Sequence, residues 1–74
     1  MEKKDEELIH TLLEREPELR QYYEEHVDLE RQLSSLQQKH YLTADEEVEK
    51  KRLQKLKLAG KDRIMEILAR YRPH

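Results

Sequence analysis

The residues of this chain that could carry chemistry are four histidines, a dense supply of carboxylates and one run of cations. His10, His26, His40 and His74 are spaced too widely for one helix to bring any two together, because ligation from a helix needs pairs at i, i+3 or i, i+4. Cysteine is absent, so neither a thiolate metal site nor a disulfide is available. Acidic groups such as Glu24, Glu25 and Asp28 read as a solvated face, since general acid or base work needs a desolvated cleft that shifts a carboxylate's pKa. Ser34 and Ser35 have no Gly-x-Ser-x-Gly setting, and there is no glycine loop for phosphate. The residues therefore point away from an enzyme: no catalytic group, no cofactor and no metal are expected.

The cations are more suggestive. Lys50, Lys51, Arg52, Lys55, Lys57 and Lys61 follow one another with no acid among them. Along a helix they could track phosphates, with strongly salt-dependent binding. No aromatic is interleaved for base stacking, and no known nucleic-acid module is recognisable. Glu24, Asp28 and Glu30 could instead face these cations across a helical hairpin. Pairing within or between chains is the expectation, with weak nucleic-acid or other polyanion binding as the alternative. A membrane surface ranks last, because Trp and Phe are missing.

The elements that must position these groups are helical. Charged residues make up 43% of the 74 residues and the hydrophobic set 35%, a composition that suits either disorder or long helices with a narrow apolar stripe. Twelve leucines at helical spacing decide for helices. A short helix is expected over 5–15, its face formed by Leu8, Ile9, Leu12 and Leu13. Pro17 interrupts and is best tolerated at the first position of a new helix. From there Leu19, Tyr22, His26, Leu29, Leu33, Leu36 and His40 alternate at intervals of three and four, a heptad seam that predicts a long helix over 17–40. Thr43 with Glu46 three residues later is a capping box, which predicts a turn at 41–43 and a second long helix over 44–72.

On that last helix Leu53, Leu56, Gly60, Ile64, Ile67 and Tyr71 make the stripe expected to meet the seam. Leu58 and Met65 point away from it, with Leu68 between, so this helix needs two partners. The first arm supplies one, and a second chain is expected at Leu58, Met65 and Leu68. Gly60, the sole glycine, is either a tolerated weak spot or a place where another helix backbone comes close. His26 and His40, as polar seam residues, would fix register or oligomer state at some cost in stability, or sense pH through protonation near about pH 6.

The expected architecture is a single all-α domain over 1–74, an antiparallel, coiled-coil-like helical hairpin with a short N-terminal helix. Residues 1–40 carry six Lys/Arg against eleven Asp/Glu, while residues 41–74 carry nine against six. Opposite charge on the two arms favours antiparallel pairing, within one chain or by arm exchange between chains. A core this small seldom supplies more than roughly 3–5 kcal/mol without a staple, which points to a homo-oligomer. The charged N-terminus lacks the apolar run of a signal peptide, and no stretch is long and apolar enough for a membrane span, so a cytoplasmic protein is the expectation.

Lys57-Leu-Ala-Gly-Lys-Asp-Arg-Ile64, followed by Ile67-Leu68, resembles the C-terminal motif of the YdcH-like family, small bacterial proteins of unknown function. Glu16-Pro17-Glu18-Leu19, His26 with Leu29-Glu30, Leu33 and the basic Lys50-Lys51-Arg52 are similar to the family as well. The resemblance covers nearly the whole chain, through motifs of low complexity. It implies a cytoplasmic helical hairpin with no established activity, and similar segments within coiled-coil regions of larger proteins point to assembly, with itself or with another protein. Members often carry Leu where this chain has Gly60, which implies different helix packing at that point.

Overall fold

The computed structural model describes residues 2–72. Three helices follow in order: α1 Lys3–Leu12, α2 Pro17–Gln37 and α3 Ala44–Ala69. α2 and α3 lie antiparallel along most of their length, and α1 folds back onto the far end of α3. The chain is all-α, a helical hairpin with a short third helix at its open end. Its radius of gyration is 14.4 Å, against about 11 Å for a compact globule of this length. The molecule is a rod of 45 × 21 × 17 Å, so little of any side chain lies far from solvent.

Local chemistry sets the helix bounds. Pro17 stands at the first position of α2, where its missing N–H costs nothing, and it holds Glu16 in an extended conformation with φ −119° and ψ 91°. Leu13 to Arg15 turn ahead of it, so α1 stops at Leu12 instead of reaching residue 15. The reversal occupies residues 38–43 without any positive φ among the described residues. The Thr43 side chain accepts from the Glu46 N–H at 3.1 Å, and the Glu46 carboxylate accepts from the Thr43 N–H at 3.0 Å. Caps of this kind stabilise a helix by about 1 kcal/mol. Lys39 reaches across the turn to the same carboxylate, which with the Thr43 N–H holds its pKa below the usual Glu range.

Because α2 ends at Gln37, the seam stops at Leu36, and His40 lies exposed in the turn. The position expected to be polar and buried is a loop residue, because closing the hairpin takes six residues and not three. α3 likewise ends at Ala69, with Arg70 and Tyr71 in a following turn.

The core has two lobes. At the open end Leu19 of α2 and Ile64, Ile67 and Leu68 of α3 bury against Ile9 and Leu12 of α1, with Leu8, Leu13, Tyr22, Tyr23 and Met65 packed around them. Near the turn Leu33 and Leu53 are buried. This overturns one expectation: the second apolar face of α3 is covered by α1. Leu68 is fully buried and Met65 is packed against the cluster, so of the three residues assigned to an oligomer face only Leu58, 61% exposed, remains available. The short amphipathic helix satisfies that face within the chain.

Polar contacts fasten the same end. Arg72 pairs with the nearly buried carboxylate of Asp5, and Tyr71 donates to Glu16. The Tyr23 hydroxyl donates to Glu6 at 3.1 Å, and its ring meets His10 edge-on with centroids 5.8 Å apart. Partial burial first, and then the Glu6 carboxylate, push the Tyr23 phenol above its usual pKa. A raised phenol pKa means that this contact stabilises the fold fully below about pH 10 and that the contribution is lost as pH rises through Tyr23's own higher value. Ultraviolet titration of the phenolates should show a late-ionising tyrosine that Tyr23→Phe removes; an unchanged late phase in the variant would contradict the α1–α2 contact.

Candidate functional site

Between the two lobes the hairpin is not sealed. Glu16 opposite Tyr71 and Glu30 opposite Lys57 fix the register of α2 against α3, and that register sets His26 level with Gly60. The two irregular residues of the heptad pattern therefore confront each other across the seam. An added Cβ at Gly60 would meet nothing within 4 Å. Of the two readings of this glycine, the close approach of another helix backbone is absent within the chain, and the space over Gly60 is open.

The result is a groove of about 420 Å³ on one face of the hairpin, walled by Tyr22, Leu29, Leu56, Ala59 and Gly60 with His26 at its side. Glu25 and Asp28 stand on its α2 lip and Arg63 on its α3 lip. Leu56, expected inside the hairpin, is 45% exposed here, and Tyr71, at the end of the same stripe, is 43% exposed. Leu56 lines the open groove, and Tyr71 lies in the turn beyond the end of α3. Leu19, Leu33, Leu53, Ile64 and Ile67 of the expected interface are buried, while Tyr22, Leu29 and Leu36 are half-buried.

His26 is 5% exposed. Its Nε2 lies 2.9 Å from Glu30 Oε1, the same oxygen that stands 3.6 Å from Lys57 Nζ on α3. A chain of three groups thus ties the arms together: imidazole, carboxylate, ammonium. The other ring nitrogen, Nδ1, is buried without a hydrogen-bond partner. Leaving such an atom unpaired costs roughly 1–3 kcal/mol, so the position is one where stability is given up.

The basic run separates into groups. Arg52 donates to Glu49, which keeps that carboxylate's pKa low and raises its own, and Lys57 is held by Glu30. Lys50, Lys51, Lys55 and Lys61 make no ion pair among the described residues. By helical spacing Lys50, Lys57 and Lys61 share one side of α3, and Lys51 and Lys55 another. Lys57 and Lys61 border a second groove of about 510 Å³ with Glu30, Gln37 and Gln54, on the side of the hairpin away from Gly60. The six cations do not form a single track.

Among the described residues no three His, Asp or Glu side chains converge to hold a metal, and no helix is long and apolar enough to cross a membrane. His74 lies outside the described residues. Comparison of the chain with family models, with curated proteins and with solved structures returns no match.

Composition and spacing do not reveal the α1–α3 contact or the lips of the groove. The signal for the first is the phase of Ile9 and Leu12 with the seam. The lip residues Glu25, Asp28 and Arg63 read as solvated charge because only the register brings them to one opening. Since nothing occupies the space over Gly60, Gly60→Ala should raise stability in chemical denaturation by about 1 kcal/mol, the helix-propensity difference between the two residues. A destabilised variant would show that the glycine is needed for contact.

Proposed function

We propose that this chain is a non-enzymatic structural or adaptor module of the cytoplasm that works through association, with itself or with another protein, and that it belongs with the YdcH-like proteins it resembles. The observation that carries the reading is the apolar groove at Gly60: Leu56 is exposed and Leu29 only half-buried there, beside a buried imidazole whose Nδ1 lacks a partner. Natural cores are closely packed, and open apolar surface rimmed by charge marks interaction sites. The groove holds no nucleophile paired with a base, so it is suited to receive side chains and not to transform a substrate. A two-lobed core on a 45 Å rod also leaves the monomer short of buried area. Sedimentation equilibrium in the low micromolar range should give a mass above 9.1 kDa that rises with concentration. A well-folded monomer throughout would contradict self-association.

A second reading is supported by Lys51 and Lys55, which are exposed and unpaired among the described residues. They could make weak contacts with a nucleic acid or another polyanion. Gel mobility with mixed DNA and RNA should show no retention at low salt under the assembly reading. Salt-sensitive retention abolished by Lys51→Glu with Lys55→Glu would establish the polyanion reading instead.

A further inference from the structure

The groove has lips of opposite charge, and each charge row continues along its helix beyond the groove, on α3 from Arg52 onward. On α2, Glu18, Gln21, Glu25, Asp28 and Gln32 recur at intervals of three and four, a row that includes three acids and no base. From Arg52 to the C-cap of α3, Arg52, Leu56, Ala59, Arg63, Glu66 and Arg70 recur in the same way, with three arginines and one acid, and Arg52 and Arg63 also contact Glu49 and Glu66 of their own helix. Glu25, Asp28, Leu56, Ala59 and Arg63 line the groove, which places both rows on the same face of the hairpin. Glu18, Glu25, Asp28, Arg52, Arg63 and Arg70 are all exposed.

From this arrangement we infer that the occupant of the groove face is a second copy of the chain, docked about a two-fold axis parallel to the helices, so that the α2 lip of each protomer lies along the α3 lip of the other. The inference rests on the self-association proposed above and specifies its geometry. A face-to-face pair of hairpins has two simple solutions. An axis perpendicular to the helices within the interface stacks α2 on α2 and α3 on α3, setting acids against acids and arginines against arginines. An axis parallel to the helices stacks each α2 on the partner's α3, antiparallel, and brings opposite charges together twice because the contact is isologous. Like charges across an interface are strongly disfavoured, so charge selects the second solution.

The dimensions agree. A long face of a molecule with extents of 45 × 21 × 17 Å spans roughly 750–950 Å², of the order of the ~800 Å² per partner of a standard stable interface. Leu29 and Leu56 of both copies would form its centre, with the lips as a charged rim. The opposite groove sets Glu30 on α2 against Lys57 and Lys61 on α3, but Glu30 and Lys57 already pair within the chain. The product is a four-helix bundle in which the space over Gly60 is closed by the partner.

Two variants test this in the full chain. Glu25→Arg with Asp28→Arg makes both lips basic, and Arg52→Glu with Arg63→Glu makes both acidic. Each alone should weaken homodimerisation by about tenfold or more, measured by sedimentation with helix content checked by circular dichroism. An equimolar mixture of the two should recover a heterodimer of near wild-type affinity, which also shows that both variants fold. Wild-type association should weaken with added salt. If wild type dimerises but each variant dimerises as well as wild type, or if salt strengthens the dimer, this geometry is wrong while self-association stands. If wild type is monomeric, the self-association reading itself fails.

Discussion

The turn of α3 from Ile64 to Leu68 is the place where all three helices share a core. Ile64, Ile67 and Leu68 are buried there against Leu19 on one side and Ile9 and Leu12 on the other. Full burial of each such side chain contributes about 1.5–3 kcal/mol, an upper range because denatured chains are themselves partly collapsed. Elsewhere α3 meets only α2, and the buried pair Leu33 and Leu53 is small. The remaining contacts of the open end depend on that cluster. The Asp5–Arg72 pair, the Tyr71–Glu16 bond and the Tyr23–Glu6 bond all hold chain ends that the cluster has already brought together. The exposed member of the three, Tyr71 with Glu16, adds little on its own.

Much of the fold is legible in the sequence because two of its signals are local. The 3–4 spacing of leucines requires one face of a helix, and Thr43 with Glu46 starts α3 where the capping box says it should. Pro17 starts α2 for the same kind of reason. What the sequence leaves hidden is relational. His40 continues the spacing of Leu33 and Leu36 but lies beyond the helix, because periodicity does not say how many residues a reversal consumes. Leu68 and Met65 plainly need a partner, and only the path of the chain after Leu12 shows that α1 provides it.

The groove was half legible. His26 and Gly60 are each visible as irregularities in an apolar stripe, yet their meeting depends on the register between arms, which Glu30 and Lys57 help to fix. A leucine at either position would extend the packing between the lobes. With an imidazole opposite a glycine, the hairpin keeps an interruption in its core, and the lips of that interruption carry the charge pattern. Helix propensity, packing and hydrogen bonding would each favour a different residue at one of these two positions. Places where such levels disagree in an otherwise consistent sequence are where function is sought.

The attachment of α1 has a kinetic meaning. Ile9 and Leu12 meet residues more than fifty positions later in the chain, whereas α2 and α3 are joined by a six-residue reversal. Closing the long loop costs more chain entropy than closing the short one. The hairpin is thus the early, local unit of folding, and α1 is the last piece to dock and the first to open. Each such opening uncovers Ile64 and Leu68 for a moment, and slow amide exchange at the centre of α3 would coexist with fast exchange in α1.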